Sequence, residues 1–348
     1  MIFEFWLSLI NTDNKLLQAH TLSNAKMKSI QHSFGPIKLS GTLVLIVLLF
    51  PVICMGQQEP QFTFNQFNHN TVNPGYAGLR DAICVTGLVR QQWIGMNDEE
   101  GNHVAPETFV VNADAPVRLL RGGVSAVVMQ DKIGYFKDVY VKLGYAYNRT
   151  LANGELGIGI NVGFLNKSLD FSKLKPVEQD PLLSGASEST MFTDMGVGVF
   201  YLQPGGLYLG VSATQLLEGA KAIGNGGLEY DLKRHYYATA GYELSSLRNP
   251  AFVFTPSVFV KYDGTTAQID LNGMLEYNRR VFGGVTYRLQ ETAAVMIGMN
   301  FKDLSFGYAY DIPLSKIGGA GSHEVMLRYC FKLEFEKTQK SFRNTRFL

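Results

Sequence analysis

Charge is in short supply in this chain. Asp, Glu, Lys and Arg make up 18% of the residues, against about a quarter in an average soluble domain. The 31 basic and 30 acidic side chains nearly cancel, so no basic excess marks a nucleic-acid surface. Cysteine is scarce too, with three residues at 54, 84 and 330 and no CxxC pair, and the six histidines are scattered singly. That excludes the usual zinc and haem-attachment patterns and leads us to expect neither cofactor nor metal. Beyond residue 54 no apolar run is long enough for a helical span. No Ser sits in a nucleophile elbow, and no His has an orienting carboxylate nearby in sequence. Gly157-x-Gly159 has no helix after it, so it is strand packing and not a nucleotide loop. The chain reads as non-enzymatic.

What is abundant is glycine (36), phenylalanine (23) and tyrosine (17), arranged with a period of two. In Leu156-Gly157-Ile158-Gly159-Ile160-Asn161-Val162-Gly163-Phe164 one face is wholly apolar and the other Gly or Asn. Val139, Val141, Leu143 and Tyr145 alternate in the same way, as do Leu304, Phe306, Tyr308 and Tyr310. Alternation of this kind makes strands with one apolar face. About fourteen such segments run from 82–93, through 154–167 and 191–203, to 322–333. The count is even and each segment is about the length of a tilted membrane strand. The links sort by length. Pro116–Arg121, Asn153-Gly154, Gln203–Gly205, Asn278-Arg279 and Lys302-Asp303 are short and turn-like. Asn97–Pro106, Ser168–Thr190, Gln215–Leu232 and Pro313–Gly321, on the opposite side, are long. Short turns at one end and long loops at the other characterise outer-membrane barrels. The fold class expected is therefore all-β: a closed antiparallel transmembrane β-barrel of about 14 strands with an N-terminal plug or rim segment, held in outer-membrane lipid.

An export signal precedes it. Lys28 and Lys38 lead into the apolar run Leu39–Cys54, Pro51 breaks the helix, and Cys54-x-Gly56 supplies small residues before Gln57. Bulky Ile53 argues against Cys54 as a lipid anchor. Met27-Lys28-Ser29 makes a normal start. The expected organisation is an upstream extension from a misassigned start (1–26), a signal peptide (27–56), an N-terminal periplasmic or plug segment (57–81), the barrel (82–333) and a basic periplasmic tail (334–348).

Several motifs, in order, carry a resemblance. Gln58-Glu59-Pro60-Gln61-Phe62 is followed by Asn73-Pro74-Gly75-Tyr76-Ala77-Gly78, then Arg90-Gln91-Gln92-Trp93, Asp114-Ala115-Pro116, Asp131-Lys132-Ile133-Gly134, Tyr308-Ala309-Tyr310-Asp311 and Ser322-His323-Glu324. Together they resemble the PorP/SprF family of Bacteroidota outer-membrane proteins, with Gly75 where that family usually has Ala. The resemblance implies a role in type IX secretion and gliding motility. It implies binding or anchoring of a secreted adhesin or cargo protein through its type IX C-terminal domain. It also implies a periplasmic, peptidoglycan-binding OmpA-like partner.

Candidate sites follow from both lines. Asn73, Pro74, Gly75, Tyr76, Ala77 and Gly78 can form a fixed-geometry plug or rim contact, or a turn into strand one, and a structural role is favoured. Arg90, with Gln92 on its face and Trp93 in the family motif, is expected to be lumenal. Arg280 and Arg288 join it, with Glu155, Glu276 or Asp270 as partners. An internal salt-bridge network is favoured over a selectivity cluster, because buried charges usually pair. Cys84 and Cys330 lie on strands that become neighbours when the barrel closes. A seam disulfide is one outcome; two free thiols are favoured, since the distance required is tight. The long loops, through Phe171, Leu174, Leu182, Leu183, Leu216 and Leu217, are the expected partner-binding surface. A diffusion channel or small-molecule transporter is the alternative function.

Overall fold

The computed structural model describes residues 59–98, 100–173, 186–223, 228–245, 250–314 and 320–331. The expected extension, signal peptide and basic tail lie outside them. Seven strands come first: β1 (Ile83–Gln91), β2 (Glu107–Val117), β3 (Gly122–Ile133), β4 (Phe136–Leu151), β5 (Gly154–Asp170), β6 (Ser187–Leu202) and β7 (Leu207–Thr214). A two-stranded hairpin, β8 (Gly219–Ile223) and β9 (Leu228–Leu232), interrupts the wall. The wall resumes with β10 (His235–Tyr242), which β11 (Leu244–Ser245) continues beyond Glu243. It ends with β12 (Phe252–Tyr262), β13 (Ala267–Tyr277), β14 (Val281–Arg288), β15 (Thr292–Phe301), β16 (Leu304–Pro313) and β17 (Ser322–Phe331).

With β10 and β11 taken as one, fourteen antiparallel strands form the wall. It closes through β1 and β17, which pair from Ile83↔Phe331 to Gln91↔His323. Closure removes the open edges that lipid cannot satisfy. The period-two alternation sets which residue faces where. Ile158, Ile160, Val162 and Phe164 of β5 point outward and are exposed, while Gly157, Gly159, Asn161 and Gly163 between them are buried. Apolar side chains outside and polar ones within invert the soluble pattern and match a wall set in lipid. Two aromatic girdles flank this belt. Tyr147, Phe252, Tyr277, Phe301 and Tyr329 are exposed near the short turns, and Tyr236, Tyr262 and Tyr287 near the long loops.

The architecture departs from expectation at the long-loop end. β4, β5 and β6 run 16, 17 and 16 residues, well beyond the roughly 9–11 needed to cross a bilayer. Pairing continues through the expected loop as far as Asp170↔Ser187. The segment read as a loop at 215–232 instead contains the β8–β9 hairpin, paired from Gly219↔Leu232 to Ile223↔Leu228. Polar residues broke the apolar alternation there, and backbone pairing formed regardless.

Candidate functional site

The described N-terminal segment, from Glu59 to Leu79, fills the barrel. It is held at three places.

The first seat is made of glycine. Asn73, in extended conformation, caps a single turn of 3-10 helix over Pro74–Tyr76, with its Oδ1 accepting from Gly75 N at 2.9 Å. Its Nδ2 reaches the wall and donates to the carbonyls of Val199 (3.1 Å) and Val211 (3.2 Å). So close an approach needs a wall without side chains. A Cβ on Gly157 would lie 2.0 Å from Gly75 O, one on Gly159 2.4 Å from the Pro74 carbonyl, and one on Gly198 2.1 Å from Asn73 Oδ1. The Gly157-x-Gly159 pair is therefore the floor on which the Asn73–Gly78 motif rests. Gly78, at φ 70°, donates its N–H to Asp114 Oδ2 at 3.1 Å. Tyr76 packs edge-on against Phe200 with ring centroids 5.0 Å apart. His69 lies tilted against both rings, with centroids 5.0 Å from each, and is buried. Burial, and then the positive charges of Arg80 and Arg328, push the His69 imidazole down to about 3.

The second seat is ionic and lies on the closing strands. Arg90 bridges Asp311 (Nη2–Oδ2 2.7 Å) and Glu324 (Nη1–Oε2 2.9 Å). Glu324, wholly buried, accepts the backbone N–H groups of Thr63 (2.8 Å) and Phe64 (2.9 Å). Thr63 Oγ1 donates to Asp311 Oδ1 at 2.7 Å. Arg288 extends the cluster, bonding Asp270 (Nε–Oδ1 3.1 Å) and approaching Asp311 at 3.8 Å. Arg90 thus has carboxylates on both sides and is not a free lumenal charge. Of the expected partners Asp270 is met, on Arg288, and the others are not. Arg280 is exposed in the turn before β14, Glu276 pairs with Arg279, and Glu155 accepts from Thr150.

The third seat was not foreseen. Glu59 accepts from Tyr237 Oη at 2.5 Å and from Gln215 Nε2, with Lys142 Nζ at 3.8 Å. Lys261 donates to the Glu59 carbonyl at 2.6 Å. Burial would raise the Glu59 carboxyl, but the charges of Lys142, His235 and Lys261 and the Tyr237 hydroxyl hold it at about 2. The signal available in sequence was two lysines, Lys142 and Lys261, on the lumenal faces of their strands.

Both ends of the lumen are shaped by this filling. At the long-loop end the hairpin folds inward. Leu232 joins the apolar core around Phe64, and Ile223 packs on Leu169 and Phe171. Phe171 is consequently buried and unavailable to a partner, contrary to expectation, because the hairpin needs its surface. Leu216 is half-buried and Leu217 exposed. Leu174, Leu182 and Leu183 lie outside the described residues. Gln92 stands just past β1, where its N–H bonds Pro106 O at 2.9 Å. Trp93, at φ 48°, leaves the strand path and lines an apolar pocket with Met96, Val104, Pro106 and Ile133 instead of the lumen. At the short-turn end a cavity of about 970 Å³ lies beneath the plug, bordered by Phe67, Tyr76, Arg80, Arg328, Cys84 and Cys330. Cys84 and Cys330 face each other in register with bonded sulfurs, so the seam holds a disulfide where two free thiols were favoured. Strand pairing supplies the closeness that sequence could not guarantee. Among the described residues no group of three or more His, Cys, Asp and Glu could hold a metal ion.

A family model described as type IX secretion system membrane protein PorP/SprF matches residues 54–329. No curated protein sequence matches significantly. Among solved structures the chain is similar to the outer membrane protein Omp33 of Acinetobacter baumannii, with 8% identity, 72% of this chain and 98% of that one covered, and a TM-score of 0.42. It is also similar to the toluene transporter TbuX of Ralstonia pickettii (12% identity, 75% and 92% covered, TM-score 0.45). A Pseudomonas aeruginosa FadL homologue gives 12%, 80% and 95%, and 0.41. None of these scores reaches 0.5, and the barrel assignment rests on the chain's own strand register.

Proposed function

Because the chain belongs to the PorP/SprF family of type IX secretion system membrane proteins, and is an outer-membrane β-barrel, we propose that it acts as a surface-binding component and not as a conduit. In this reading it holds a secreted adhesin or cargo protein through that protein's type IX C-terminal domain. The exposed parts of the long-loop end, such as Leu217, make the contact. A periplasmic OmpA-like protein engages the opposite end. The observation that supports this is the filled lumen: three separate seats and an inward-folded hairpin occupy the path a solute needs. A diffusion channel requires that path to be open, and the cavity at the short-turn end stops at the plug.

Two measurements separate the readings. Purified barrel in a planar bilayer is expected to be electrically silent. A photo-crosslinker at position 217 is expected to capture a secreted C-terminal domain in living cells. Steady single-channel conductance together with no crosslink to any secreted domain would leave the transporter reading standing.

A further inference from the structure

The barrel seam carries chemistry that the proposed role does not use. Cys84 lies directly across from Cys330, with Cα atoms 4.1 Å apart and 246 residues between them in sequence. A spacing that short is typical of the narrow, non-hydrogen-bonded pairs of antiparallel sheet, where side chains stand closest. Only pairing of the first and last strands brings the two together. Their surroundings differ. Cys84 is buried, whereas Cys330 is half-buried, and both border the cavity beneath the plug. Arg328, on the same face of β17, places its guanidinium on both sulfurs, with Nε 3.1 Å from Cys330 Sγ and Nη2 3.7 Å from Cys84 Sγ. Among the described residues Arg328 forms no salt bridge, and its guanidinium lies against the two sulfurs and 5.9 Å from the centre of the Phe67 ring.

We propose that Cys84 and Cys330 are a redox latch set after barrel closure by thiol–disulfide exchange from the short-turn side, with Cys330 as the entry sulfur and Cys84 as the resolving one. The thiolate of Cys330 attacks a disulfide-form donor. One donor sulfur leaves as a thiol, and a mixed disulfide forms on Cys330. Cys84 loses its proton, attacks the Cys330 sulfur and expels the second donor sulfur. Two electrons and two protons pass from the cysteine pair to the donor, which ends as thiols. Arg328 holds positive charge where the attacking and departing sulfurs carry negative charge. The product joins β1 to β17 covalently, the same two strands that carry the Arg90–Glu324 plug seat.

The test uses the mature protein in native outer-membrane vesicles. After denaturation, reduction is expected to raise the number of maleimide–polyethylene glycol labels by two, mapped to Cys84 and Cys330. The unreduced form is expected to migrate faster in a denaturing gel, because a long loop is closed. Then the folded barrel is reduced and labelled in two variants, Cys84→Ser and Cys330→Ser, each confirmed as folded by its heat-dependent gel mobility. The half-buried Cys330, left in Cys84→Ser, should label at least about tenfold faster than the buried Cys84. Labels on both Cys84 and Cys330 in the unreduced wild-type protein would overturn the latch. Equal labelling rates, or a faster Cys84, would overturn the assigned order of attack.

Discussion

Replacing Glu324 by Gln probes the plug where its backbone meets the wall. The carboxylate serves Arg90 and the N–H groups of Thr63 and Phe64 at once, at 2.8–2.9 Å. An amide of the same shape keeps one acceptor. Turned to retain the oxygen that serves Thr63 and Arg90, it presents NH₂ to the Phe64 N–H and leaves that donor unpaired. It also removes a charge facing Arg90, which retains Asp311 at 2.7 Å. An orphaned buried donor costs about 1–3 kcal/mol and a weakened charged bond adds to it, so docking of this segment should loosen by about 2–4 kcal/mol. At roughly 1.4 kcal/mol per decade, local opening becomes about thirty- to thousandfold more frequent. Hydrogen exchange read by mass spectrometry on the detergent-solubilised barrel measures this directly. Peptides covering residues 59–72 should lose protection by that factor, and wall peptides should not. Val325→Ala, one residue away on the lipid-facing side, should change nothing in the plug. Unchanged plug protection in Glu324→Gln, or equal loss in both variants, would refute the claim that Glu324 pins the segment.

Two further outcomes test the glycine seat and the plug's own chemistry. Gly198→Val places a Cβ 2.1 Å from Asn73 Oδ1 and 3.0 Å from Pro74 Cδ, so limited proteolysis should newly cut within 59–79. Gly283→Ala, whose Cβ meets nothing nearer than 3.6 Å, should stay resistant. His69 gives a pH dependence. Its docked value of about 3 lies below the ordinary 6.5, so an undocked plug takes the proton more readily. Docking is then at full strength above pH 6.5 and weakens as pH falls toward 3. Glu59, depressed from 4.5 to about 2, adds its own loss only below its ordinary value. The difference between wild type and a variant lacking the imidazole, across pH 6.5 to 4.5, therefore reports His69. Exchange of the 59–79 peptides, corrected for intrinsic rates, should rise across that window in wild type and stay level in His69→Phe.

The strand count and the inward and outward faces were legible in the chain. Each follows from a period of two that a single apolar surface imposes on every strand. The resemblance motifs marked the right residues as well. Glu59, Asn73, Asp311 and Glu324 all stand in them, yet nothing in their spacing shows that Glu324 receives the backbone of Phe64 from 260 positions away. That pairing, like Arg90 with Asp311 and Cys84 with Cys330, comes from closing the sheet, which joins the first and last strands at one particular stagger. The hairpin that buries Phe171 was illegible for a related reason, since its sequence lacks apolar alternation and its strands are held by backbone pairing and a lid position. Local pattern thus determined the wall and its two faces, because that information repeats every second residue. Only tertiary structure decided what fills the lumen and which charges meet there, because those contacts exist solely once distant strands are brought into register.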